Sequence, residues 1–267
     1  MAVKIDMNFL QNRPVSYSAL KEFSRSPKHY KHFLTGPRKK TAYYAMGSAI
    51  DCILLSEEKF KQRFAVHPNY NPWTFDGKAM LEIFEMENKG KIIISKDEYE
   101  IALAIKASIH ENPETSKLFN RITETQMEYK WTDEETGIPC IAYTDGEGEG
   151  LTIELKSTKN ASQNSFMKDA FNFNYHFQTG FYKEAQRACK RISRDYRYIV
   201  AEKDAPWGVA VYTPTPEYIE AGRKVFRKTL RDFKFCLDND LFDSGYEFYG
   251  GGEDLVLDLP PWGKKQY

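Results

Sequence analysis

The 267-residue sequence predicts a mixed α/β fold of the α+β kind, in which a helical N-terminal stretch leads into a strand-containing core. Two observations carry that prediction. Apolar residues recur at helical spacing between residues 17 and 109, and from Thr125 the period shifts toward the alternation of strands. A third is composition, because 41% hydrophobic and 15% aromatic residues supply enough apolar surface for a compact core. The expected layout is a single domain over 1–267, with 1–120 mainly helical, 121–250 forming the core and 251–267 a C-terminal tail.

Ser16 or Ser18 caps a first helix to about residue 34, with Leu20, Phe23, Tyr30 and Phe33 as its apolar contacts and Pro27 as a break. A second helix over about 44–55 presents Ala45, Ala49, Cys52, Ile53 and Leu55, and Gly47 on it is expected to permit close packing. After the turn-rich stretch 69–77, helices are expected over about 77–88 and 95–109. Strands follow at about 126–132, 138–143 and 151–157. Phe177, Phe181, Ala185 and Ala188 stand at helical spacing and place a helix over about 175–191. Two further strands are expected near 196–201 and 208–212, and Pro214 and Pro216 open a last helix that reaches about residue 237.

Lys+Arg and Asp+Glu balance at 38 each, so no global positive field draws the chain to nucleic acid, and any such binding has to use a local patch. The first residues hold no apolar run of the signal-peptide kind, and nowhere do eighteen apolar residues follow one another, so a cytoplasmic protein without a membrane partner is expected. Cys52, Cys140, Cys189 and Cys236 lie far apart without a Cys-x-x-Cys pair and read as reduced thiols rather than zinc or iron–sulfur ligands.

The chemistry concentrates on an expected β-hairpin. Ile141, Tyr143 and Asp145 share one face of its first strand, Glu154 and Lys156 share a face of its return strand, and Leu155 points into the core. The run Gly146-Glu147-Gly148-Glu149-Gly150 between them reads as a flexible turn. Two converging carboxylates can hold a divalent cation, for which oxygen ligands favour Mg²⁺ or Mn²⁺ over zinc, while the ammonium group steadies developing negative charge. This is a set suited to phosphodiester cleavage. Gln178 and Tyr182, four residues apart, fall on one helix face from which they can position phosphate, water or the lysine. His176 is left outside that set. Ser157 and Thr158 are candidate phosphate donors, and Arg223, Arg227, Arg231 and Lys234 on the last helix, with Arg38-Lys39-Lys40, are candidate DNA-backbone patches.

Asp145, Glu154-Leu155-Lys156, and Gln178 with Tyr182 together resemble the PD-(D/E)xK nuclease superfamily. Tyr17-Ser18-Ala19-Leu20 before Ser26-Pro27, Gly47-Ser48-Ala49-Ile50-Asp51, Thr136-Gly137-Ile138 and Tyr175-His176-Phe177-Gln178 narrow the likeness to the RecE, or exonuclease VIII, type of phage and prophage recombination nuclease, over about residues 14–250. The resemblance implies a restriction-endonuclease-like core with a central mixed sheet flanked by helices. It departs from the family at Asp51, where a metal-binding histidine is common, and at Thr144, where a proline commonly precedes the aspartate. An aspartate remains a hard-oxygen ligand, so Asp51 joins Asp145, Glu154 and the Leu155 main-chain carbonyl as a possible metal ligand, with Mg²⁺ the expected ion and Mn²⁺ a substitute. The resemblance further implies 5′ to 3′ degradation of double-stranded DNA from an end, a 3′ overhang passed to a single-strand annealing protein, and a homo-oligomer. A repair or structure-specific endonuclease and a non-catalytic DNA-end scaffold are the alternatives.

Overall fold

A computed structural model describes residues 4–37, 42–148, 150–191, 195–250 and 258. The first elements are α1 (Met7–Asn12), β1 (Val15–Ser16), α2 (Tyr17–Phe23), α3 (Pro27–Thr35), α4 (Ala42–Leu55), α5 (Glu57–Arg63), β2 (Phe64–Val66), α6 (Phe75–Glu87), β3 (Ile92–Ile94), α7 (Lys96–Glu111) and α8 (Pro113–Phe119). Then come β4 (Glu124–Thr132), β5 (Pro139–Gly148), β6 (Leu151–Thr158), α9 (Gln163–Asn172), α10 (Tyr175–Ala188), β7 (Asp195–Glu202), β8 (Val209–Tyr212), α11 (Pro216–Asp238) and α12 (Glu247–Gly250). The chain divides into two compact units, one of Met1–Arg38, Thr132–Cys140 and Arg227–Tyr267, the other of Lys39–Trp131 and Ile141–Phe226.

In the first unit the hydroxyl of Ser16 caps α2 and that of Ser26 caps α3, so the break expected at Pro27 separates two helices, with the proline at the start of the second where its missing N–H costs nothing. Phe23, Tyr30 and Phe233 pack edge to face with centroids 5.0–6.2 Å apart. The Tyr249 hydroxyl donates to the Phe23 carbonyl at 2.9 Å, and Lys31 pairs with Asp243 at 2.6 Å, so the early helices are tied to the end of the chain.

The second unit is built on a mixed sheet in which β4 pairs with β5, and β5, β6, β7 and β8 follow in order. β5–β6 and β7–β8 are antiparallel, whereas β6 and β7 run parallel over their full length, from Leu151 opposite Asp195 to Thr158 opposite Glu202. A parallel pair needs a crossover, and α9 and α10 supply it. Leu151, Ile153 and Leu155 of β6 and Ile199 and Ala201 of β7 enter one apolar cluster with Ala49, Ile50 and Ile53 of α4 and Ala102, Ile105 and Ile109 of α7. The alternate residues of β6 face α10, which brings polar side chains down on them.

The Gly/Glu run does not form a loose turn. β5 continues through Gly148, and among the described residues of the run only Gly150 adopts a positive φ, +75°. At Gly148 a Cβ would strike the Arg121 carbonyl, so that glycine serves close backbone approach. Glu147 within the run is buried, its carboxylate receiving the hydroxyls of Tyr129 at 2.6 Å and Thr144 at 2.7 Å and the Gln186 amide at 2.9 Å. Gly47 has open space where a Cβ would stand, against the expectation of close packing. The close crossing lies elsewhere, between α10 and the start of α11: a Cβ on Gly180 would strike the Gly222 and Arg223 backbone, and one on Gly222 would strike the His176 carbonyl.

Gly180→Ala and Gly222→Ala should therefore each destabilise the protein by about 1–3 kcal/mol, because the colliding atoms are backbone and cannot rotate away. Gly47→Ala should stabilise it by about 0.5–1 kcal/mol, the usual gain of alanine over glycine inside a helix. Urea unfolding monitored by circular dichroism measures all three.

Candidate active site

Glu154 lies at the floor of the site, 2% exposed on the α10 side of β6. Its Oε1 accepts two short hydrogen bonds, from Lys156 Nζ at 2.6 Å and from Gln178 Nε2 at 2.6 Å. Gln178 also donates to the Tyr182 hydroxyl at 3.0 Å, which fixes the amide against both residues of the sequence motif. Glu154 Oε2 is buried and has no hydrogen-bond partner. Asp145 stands one residue beyond the Gly146–Ile153 rung of the hairpin, and its Oδ2 accepts the Leu155 N–H at 2.8 Å. Asp51 approaches from α4, close enough for the charges of both carboxylates to act on it.

Lys156 is held by more than its acid partner. Its ammonium lies 4.8 Å from the centroid of the Tyr175 ring, a cation–π contact from the first residue of α10. Tyr175, Gln178 and Tyr182 fall at i, i+3 and i+7 on one helix face, a spacing that marks Tyr175 as belonging with the other two, although sequence reasoning did not place it in the site. Arg63, at the end of α5, is a second omission: it donates to Ser48 Oγ at 3.1 Å, and its charge favours the ionised form of Asp51.

The electrostatics of the group are unbalanced. Burial pushes the Glu154 carboxyl up to about 7, with the Asp145 charge acting in the same direction and Lys156 and Gln178 opposing it. Asp145 is raised by burial, against the pull of Lys156 and the Leu155 N–H. Burial, then the Asp145 charge, lifts Asp51 well above the usual carboxylate range. For Lys156 burial acts downward, but Glu154, Asp145 and Tyr175 outweigh it and its affinity for a proton rises. Three carboxyls thus compete for one ammonium group in a desolvated place, and a further cation is what would let all three ionise.

Among the described residues no three His, Cys, Asp or Glu side chains stand close enough to hold a metal ion as they are. The donor set nevertheless fits a hard divalent cation: Glu154 carries a buried oxygen with no partner, and the acids next to it resist ionisation for want of positive charge. Leu155 contributes its N–H to Asp145, while its side chain lies in the apolar cluster.

Other candidates lie apart from this arrangement. Thr158 Oγ1 is engaged with Asp169 at 3.1 Å, and the His176 ring stacks on Phe171, its pKa lowered by burial. The cationic stripe of α11 is neutralised in place: Arg223 faces Glu220 at 3.6 Å, Arg227 pairs with Asp133, Arg231 with Glu135, and Lys234 with Asp238 at 2.5 Å. That stripe is no bare phosphate track, because each charge already has a carboxylate. Arg38-Lys39-Lys40 lies outside the described residues.

A central mixed sheet flanked by helices, with an Asp, a Glu-x-Lys and a Gln-x-x-x-Tyr gathered on it, is the architecture of PD-(D/E)xK nucleases. The chain belongs to the family described as "PDDEXK-like domain of unknown function (DUF3799)", whose model matches residues 16–244. Among solved structures it is similar to a protein from Eubacterium rectale called "Putative exonuclease", with a TM-score of 0.62 and 16% identity over 94% of this chain and 91% of that one, a likeness of fold. No curated protein matches the chain. No helix among the described residues is long and apolar enough to cross a membrane.

The raised Glu154 carboxyl gives stability a defined pH dependence. Between its ordinary value of 4.5 and about 7 the folded state keeps a proton that the unfolded state releases, so its contribution to stability falls as pH rises through that window and levels off above it. In EDTA, wild-type minus Glu154→Gln stability should decline from pH 4.5 to 7; thermal melts across that range check the slope, and a rising difference would contradict the assignment.

Proposed function

We propose that the protein is a Mg²⁺-dependent exonuclease of the RecE type, acting on double-stranded DNA from an end in the 5′ to 3′ direction. The observation that carries this reading is the buried, partnerless Glu154 Oε2 beside Asp145 and a charged, doubly held Lys156. The family and the exonuclease name of the structural neighbour support it. Asp145 and Glu154, with Asp51 and the Leu155 carbonyl as further ligands, would hold a divalent cation, which would supply positive charge and a water of lowered pKa; Mn²⁺ is the expected substitute for Mg²⁺.

The chain's own residues do the rest. Glu154 is oriented through Gln178, whose amide is itself fixed by Tyr182, so the ligand oxygen cannot swing away. Lys156, kept protonated by its neighbours and pressed against the Tyr175 ring, offers N–H donors where phosphate charge grows in the transition state. Water oxygen bonds to phosphorus, its proton passing to solvent, as the P–O bond in line with it breaks and the leaving oxygen takes a proton from water; the Lys156 charge offsets the negative charge that builds on the phosphoryl oxygens. The 3′ strand left behind would be passed to a single-strand annealing protein, and a homo-oligomer enclosing the DNA end accords with the same reading.

Duplexes labelled separately at their 5′ and 3′ ends test the proposal. Early release of the 5′ label in Mg²⁺, none in EDTA, and no cut in a closed circle are expected; circle cleavage would make the protein an endonuclease. Asp145→Ala, Glu154→Ala and Lys156→Ala should each lower turnover on the order of 10²–10³-fold while remaining folded. Asp51→His should retain hydrolysis but change the ratio of Mn²⁺- to Mg²⁺-supported rates, measured under the same initial-rate conditions.

A further inference from the structure

Around Lys156 lies a set of aromatic rings of which the chemistry above uses only Tyr175. Tyr175, against the ammonium group, is backed by Phe166 at 6.1 Å and Tyr198 at 6.2 Å, both buried. On its outward side Phe173 stands 5.9 Å away and is 46% exposed. Phe171, 73% exposed, stacks at 6.0 Å and 13° on His176, the residue next to Tyr175. Met167, one turn earlier on α9, is exposed, and so is Lys168 beside it. Phe171 and Phe173 are thus exposed rings set beside the buried ones that back the ring against the candidate catalytic lysine.

We infer that Phe171 and Phe173 form a stacking ledge for unpaired nucleobases of the strand being cut, a role that rests on the nuclease reading for its substrate. The ligand has to present an anion at the Lys156 end and flat, apolar faces further out, with Lys168, exposed three residues before Phe171 on α9, as a second cation; a single-stranded nucleic acid has that pattern. Stacking on a ring needs only a π face, so the ledge is indifferent to sequence. Base faces inside a duplex are already covered, so the ledge receives nucleotides that have left the helical stack.

The test measures binding, in EDTA, of a fluorescent oligothymidylate and of the same oligomer with abasic sites throughout, which keeps every phosphate and removes every base. Wild-type protein should prefer the thymidylate about tenfold or more. Phe171→Ala with Phe173→Ala should bring the ratio close to one, and the two tyrosine substitutions should restore it whereas the two leucine substitutions should not. Both positions are exposed, so melting temperature should hardly move. An equal base-to-abasic ratio in wild type and the alanine pair overturns the ledge, as does restoration by leucine, or sedimentation showing that the alanine pair breaks an assembly while the ratio stays unchanged. If the end-labelled duplexes go uncut while the base preference and its pattern hold, the nuclease reading fails and the ledge stands.

Discussion

A surplus of carboxyl groups gathered away from water organises this protein. Asp51, Asp145 and Glu154 reach the same neighbourhood from α4, β5 and β6, with Lys156 as the central ammonium group. In water such a group would disperse; here the sheet fixes two of the acids and the helix α4 the third, so the repulsion is met by protonation, by hydrogen bonds and by the Tyr175 ring. The rest of the second unit can be understood as support for that imbalance. The parallel pairing of β6 and β7 requires a crossover, the crossover delivers α10, and α10 carries Tyr175, Gln178 and Tyr182 to the two charged side chains of β6.

Much of this was legible in the sequence where one period dominated. The alternation of β6 separated Leu155 from Glu154 and Lys156 correctly, and the four-residue spacing put Gln178 and Tyr182 on one face. Ser16, one of two hydroxyls offered as a cap, marked a helix start because a hydroxyl before an apolar run satisfies otherwise unpaired N–H groups, whereas at Ser26 only the break at Pro27 was legible. Contacts depending on the pairing of distant elements were harder to read. The Gln186 amide on Glu147 and Thr152 joins residues that no local pattern connects, so Glu147, flanked by glycines, resembled an exposed turn acid. α9 escaped notice for a related reason: its exposed Met167 and Phe171 blur the division between apolar and polar faces that reveals a surface helix.

Charge was the least readable property. A row of arginines and lysines on α11 looks like a track for phosphate when only the row is considered, but Asp133 and Glu135 lie almost a hundred positions earlier and Asp238 one turn later. The same sequence distance hides the opposite case at the site, where acids far apart in the chain come close enough to oppose one another's ionisation. Sequence counts charges, whereas pairing decides which of them act.

The first unit has a consequence for how the chain is made. Phe23 and Tyr30 find their cover in Phe233, and the carbonyl of Phe23 receives the Tyr249 hydroxyl, a partner 226 residues later. At ordinary elongation rates of about 5–20 residues per second, those early rings leave the ribosome on the order of ten to forty seconds before what buries them. The segment from Lys39 to Phe226, which includes every candidate site side chain, is complete earlier, so the order of synthesis places the acids and their lysine together while the opening helices still await their partner.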